Sequence, residues 1–116
     1  MNNDTQVIAQ ADWATFAADF TKEHRGKMAT LEALDTDMGD QYAAENLPFV
    51  GITLETKGSD TGALIITLGT EEADTLERSV QSLKSLQVHA TDAETVLQIQ
   101  SSSEEPTFLL HLMPAA

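Results

Sequence analysis

The chain has 116 residues, 41% hydrophobic and 22% charged, with nineteen acidic side chains against six basic ones for a net charge of −13. That length fits a single domain, 1–116, with a core of its own. The carboxylate surplus excludes binding to nucleic acid or to anionic membranes, which need cations, and the lack of cysteine excludes disulfides, thiolate catalysis and cysteine-held zinc.

Residues 1–10 read as a leader, polar apart from Val7 and Ile8. They carry neither a basic start nor an apolar run, so no signal peptide is expected. No stretch approaches the roughly 18 apolar residues of a membrane span, and the cytoplasm is the expected location.

A helix follows over about Asp12–Arg25. Trp13, Phe16, Ala17 and Phe20 stand at i, i+3, i+4 and i+7 and form one stripe. Asp12 suits the N-cap and Gly26 a left-handed terminator. Lys22, Arg25 and Lys27 gather at the C-terminal end, where the helix dipole favours cations.

After Gly26 the period becomes two. "MATLEAL" sets Ala29, Leu31 and Ala33 against Thr30 and Glu32. The acidic stretch "LDTDMGDQYAAEN" looks like a calcium loop but fails its pattern. Counted from Asp35, Asp37 fits the third position, but Gly39 falls at the fifth, Asp40 at the sixth and Asn46 at the twelfth. A solvated loop, or a helical turn through "DQYAAE", is expected instead. "NLPFVGITLETKG" reads as a strand that starts at Pro48, with Val50, Ile52 and Leu54 on one face. "KGSDTG" is a turn, and "ALIITLG" is a strand alternating Leu64, Ile66 and Leu68 with Ala63, Ile65 and Thr67. These two strands should pair as a hairpin.

Residues 70–86 carry two patterns. Ala73, Leu76, Val80 and Leu83 form a helical stripe, with Thr70 as cap; Leu76, Arg78 and Val80 also alternate. The local signals favour a second helix near 70–84. "LQVHA", "TVLQIQ" and "TFLLHLM" are strands, the last with Phe108, Leu110 and Leu112 facing one way and Leu109, His111 and Met113 the other. Residues 114–116 are a tail.

The expected fold is α+β: an N-terminal amphipathic helix packed on a mostly antiparallel sheet of about five or six strands. Strands 63–68 and 108–113 are apolar on both faces. One helix of about 21 Å covers only part of one face. Either the sheet curls over its own core or a second copy covers it, and the latter predicts a homodimer.

Chemistry-bearing motifs are sparse. His24, His89 and His111 lack metal-ligand spacing. His24 extends the aromatic stripe, and His111 sits in a strand without a nearby acid. Nucleophile, phosphate-loop and dinucleotide motifs are absent, so neither a catalytic role nor a cofactor is expected. Lys22, His24, Arg25 and Lys27 form a candidate anion patch; a basic helix end on an acidic protein is the plainer reading of the same residues.

The series Trp13-x-x-Phe16-x-x-x-Phe20-x-x-x-His24-x-Gly26, followed by Leu47-Pro48-x-x-Gly51-Ile52 and Lys57-Gly58, resembles a bacterial family of small proteins filed as a domain of unknown function. The similarity runs from about Asp12 to Leu112. The family often has a histidine just before the apolar position near Val80, where this chain has Arg78 and Ser79. The resemblance implies no activity, but it favours a strand over 75–81. With catalytic motifs absent and two strands apolar on both faces, the expected function is a non-catalytic interaction or structural module, self-associating and with an unidentified protein partner. The alternative is a small-ligand-binding protein or enzyme that uses the basic helix end around His24 for an anionic ligand.

Overall fold

A computed structural model describes residues 4–35, 39–55, 62–69, 76–91, 93–101 and 107–113. They form β1 (Asp4–Ile8), a 3₁₀ turn (Gln10–Asp12), α1 (Trp13–His24), β2 (Met28–Asp35), β3 (Gly39–Leu54), β4 (Leu64–Leu68), β5 (Leu76–Val80), β6 (Leu83–Ala90), β7 (Thr95–Ser101) and β8 (Thr107–Leu112). The strands pair antiparallel in the order β1-β6-β7-β8-β2-β3-β4-β5.

The α+β architecture with an antiparallel sheet is present, but the sheet has eight strands rather than five or six. Residues 4–8, read as leader, form β1 and pair with β6 from Asp4↔Ala90 to Ile8↔Leu86. The second helix near 70–84 is replaced over 76–84 by β5 and the start of β6; residues 70–75 lie outside the described residues, as do 114–116. Pairing of Leu76–Val80 with β4 buries Val80 completely. That partner overrides the local helical stripe. "DQYAAE" is likewise no helical turn. It is the start of β3, which pairs with β2 from Asp35↔Gly39 onward.

Connectivity forces the sheet to fold over. β5 stands at one end of the strand order and β6 is second from the other, yet only Gln81 and Ser82 join them. Three residue steps reach about 10 Å at most, so the β5 end must lie against the start of β6. Leu83 N donates to Gly62 O (3.3 Å) at that seam. The bend is made within β3: it pairs with β2 as far as Pro48, then with β4 from Phe49. A bulge between Phe49 and Gly51 marks the change of partner. The bulge also corrects the face expected for this strand: Phe49 and Ile52 point inward, and Val50 is 38% exposed.

Between the layers lie Leu31, Leu86, Leu97, Ile99, Phe108 and Leu110 from one side and Leu64, Ile66, Leu68 and Val80 from the other, all fully buried. Each contributes about 1.5–3 kcal/mol of hydrophobic stabilisation. The sheet thus curls over its own core, and the second apolar faces of β4 and β8 are left half-buried at Ile65 and Leu109.

The helix fills the remaining gap. Once β2 has ended, the second half of β3 has an open edge on that side, and α1 with its C-terminal turn occupies it. Thr21 Oγ1 accepts from Ile52 N (2.9 Å) and donates to Ile52 O (3.0 Å). Gly26 N donates to Phe49 O (3.0 Å), and Phe49 N to Lys27 O (2.8 Å). Gly26 is left-handed (φ +91°), as a helix terminator requires. At the other end Asp12 makes no side-chain cap; Trp13 Nε1 instead donates to Ile8 O (3.1 Å) and fixes the helix entry. Thr21→Val keeps the shape but leaves the N–H and C=O of Ile52 unpaired. It should lower stability by about 1–3 kcal/mol, measured by urea unfolding.

Candidate functional site

The outward-facing side chains of the main layer form two cross-strand rows. The first is Thr5, His89, Val96, His111 and Thr30; the second is Val7, Gln87, Gln98, Leu109 and Glu32. Their inward neighbours, such as Leu86, Leu97 and Leu110, are fully buried, so alternation places both rows on the outside. Val7 is 69% exposed, Thr5 and His89 are exposed, and the other residues of both rows are half-buried.

His89 and His111 therefore share a face, but Val96 stands between them. His24 lies on the inner side of the sheet. The three histidines do not converge, and among the described residues no group of three or more His, Asp or Glu is placed to hold a metal ion.

His111 does have acids beside it, contrary to its sequence neighbourhood. Its Nε2 is 2.9 Å from Glu32 Oε1, and its Nδ1 is 3.4 Å from Glu94 Oε2. Glu32 arrives on the adjacent strand β2. Glu94 is positioned by a turn built on Thr91, whose hydroxyl accepts from Ala93 N and Glu94 N, both at 3.1 Å. Each imidazole nitrogen thus faces a carboxylate, so the ring acts as a brace linking β8, β2 and the β6–β7 turn. An open cleft of about 300 Å³ adjoins it, lined by Thr30, Glu32, Glu45, Asn46, His111 and Met113. Asn46 adopts φ +54° there, a conformation asparagine tolerates better than most residues.

The candidate anion patch is divided by the fold. His24 is buried and stacks on Phe20 at 4.4 Å between ring centroids. Its Nδ1 accepts from Lys27 Nζ (3.0 Å). Arg25 Nε donates to Val50 O (3.4 Å), and Lys22 is exposed on the helix. Burial pushes the His24 pKa down, the Lys27 charge lowers it further, and Glu23 opposes both. The ring serves the patch as a neutral core residue, which leaves Lys22, Arg25 and Lys27 as its cations.

This has a measurable consequence for stability. The unfolded chain takes up the His24 proton near the ordinary value of 6.5, and the folded chain only at lower pH. In that interval the unfolded state binds more protons, so stability is full above 6.5 and drains as the pH falls. The urea midpoint should drop between about pH 7 and pH 5 more steeply in the natural protein than in His24→Gln, which keeps an acceptor for Lys27 but cannot titrate.

These elements define an antiparallel β protein with one docked helix, an outer face whose histidine is flanked by carboxylates, and a buried helix-borne histidine. The chain belongs to a family of unknown function, DUF5335, whose model matches residues 4–112. Comparisons with curated proteins and with solved structures gave no match. Among the described residues, no helix is long and apolar enough to cross a membrane.

Proposed function

We propose that the protein is a non-catalytic, acidic interaction module of the cytoplasm that associates with a second copy of itself through the outer face of its main sheet. One observation carries this reading. In a chain of net charge −13, the two outward rows hold a single carboxylate, Glu32, and it is bonded to His111. Two copies repel wherever their carboxylates meet. Glu94 and Glu45 lie beside the rows at His111, and over the rest of both rows two copies can approach without carboxylates meeting. Packing about a two-fold axis sets the same face of both copies together. Val7, Val96 and Leu109 then supply apolar contact, and the threonines, glutamines and His89 supply hydrogen-bonding groups.

Sedimentation equilibrium of the full chain tests it. Over about 1–500 μM the mass should rise from monomer to dimer, because association follows protomer concentration. Val96→Glu places a charge at the centre of the face and should return the monomer with its melting temperature little changed. A monomer mass throughout the range for the natural protein would remove self-association from the proposal.

A further inference from the structure

β1 is the outermost strand on its side of the sheet. It pairs with β6, and among the described residues no strand pairs with its other edge. The bond from Trp13 Nε1 to Ile8 O shows that the Ile8 carbonyl points away from β6. Backbone groups of successive residues alternate sides in an antiparallel pair, so the N–H and C=O of Gln6 also point out along this edge. Apart from Asp4 at its start, this five-residue edge strand is unguarded: Thr5–Ile8 contains no charge, proline or bulge. The opposite edge is guarded. β5 carries Glu77 and Arg78, and Arg78 shares the inward face with its partner Ile66, its guanidinium 5.0 Å from the Phe108 ring centroid.

A groove between α1 and the sheet has two parts, of about 310 and 230 Å³, which share Gln6 and Phe16; the first runs beside β1, and the second continues over Val88, Ala90 and Thr95 of β6 and β7. One wall is the sheet, from β1 across β6 to Thr95 of β7, and the other is α1. Asp12, Phe16, Asp19 and Glu23 line it from the helix side at i, i+4, i+7 and i+11, a single helical face. Ile8 and Phe16 make its floor apolar, three carboxylates rim it, and neither lysine nor arginine is among its lining residues.

We propose that this groove receives an extended, basic segment of a partner protein, which joins the sheet as a strand alongside β1. Its backbone pairs with Gln6, its alternate apolar side chains lie over Phe16, and its lysines or arginines meet Asp12, Asp19 and Glu23. A second copy of this chain is the poorer occupant, because a two-fold axis at β1 would bring the same carboxylates of both copies together. The groove shares Val7 with the outer sheet face, but its helix wall does not belong to that face, so the D19K/E23K variant tests the groove apart from self-association there.

The test uses the full chain and a fluorescent peptide of about eight residues alternating lysine and valine, a length matched to one strand, with a glutamate–valine peptide as its counterpart. Anisotropy should show micromolar binding of the basic peptide, weakened by salt, and none of the acidic one. Hydrogen exchange at the Gln6 amide should slow when the basic peptide binds. The exposed-site variant D19K/E23K should lose at least about tenfold in affinity, while E55K/E77K, which changes net charge by the same amount elsewhere, should keep it. Equal losses in both variants would mean attraction to net charge only and would overturn the proposal. So would unchanged Gln6 exchange in the natural protein, or Gln6 protection that grows with protein concentration in the absence of peptide, which would give the edge to a second copy.

Discussion

Phe49→Ala is expected to lower the unfolding free energy by about 3–5 kcal/mol, seen as a shift of the urea midpoint at constant slope. The ring is 1% exposed and meets Phe20 edge-on at 5.8 Å between centroids. It sits where β3 changes partner and where α1 docks, so its loss opens a cavity between three elements at once. Alanine keeps both backbone bonds of residue 49, to Gly26 and Lys27, and the measured change therefore reports the ring. A loss below about 1 kcal/mol would mean that the site collapses around the missing ring, or that helix and sheet do not enclose it.

Gly51→Ala comes next, at about 1–3 kcal/mol, for the opposite reason. A methyl group at residue 51 would lie 2.7 Å from Thr21 Cγ2 and 3.1 Å from Thr21 Oγ1. Thr21 cannot rotate aside without releasing both of its bonds to Ile52. Relief therefore requires the helix to move off the strand, which also disturbs Phe20. Thr21→Ser removes the Cγ2 methyl and keeps the hydroxyl. The pair Thr21→Ser/Gly51→Ala should then recover part of the stability, with a coupling of about 0.5–3 kcal/mol in a double-mutant cycle. Additive losses would show that the contact between helix and strand is looser than this geometry.

Parts of this molecule were legible in the linear chain because one face of each element is buried. Of the stripe Trp13, Phe16, Ala17 and Phe20, all but the half-buried Phe16 are buried as the spacing predicts, and His24 continues it. The inward sets Ala29 with Leu31, Leu64 with Ile66 and Leu68, and Phe108 with Leu110 and Leu112 follow from period two alone. What escaped depends on partners. β1 and β5 are five-residue edge strands whose conformation comes from a neighbour, and Leu76–Val80 carries a helical stripe as well. The bulge turns Val50 outward, and no alternation pattern registers an inserted residue. The brace around His111 is the clearest case. Alternation puts Glu32 and His111 on outward faces of their own strands, but they lie 79 residues apart. Only the strand order makes them neighbours, and Glu94 needs the Thr91 turn as well.

The long strand β3 has a consequence for how the molecule comes apart. Gly39–Pro48 belongs with β2 and Phe49–Leu54 with β4, so one continuous backbone is a member of both layers. The smaller layer cannot peel away without dragging on the helix dock and on the larger layer, which ties their melting into one cooperative step. Half-open species, with the leucine-rich interior bare and prone to clump, are thereby kept scarce.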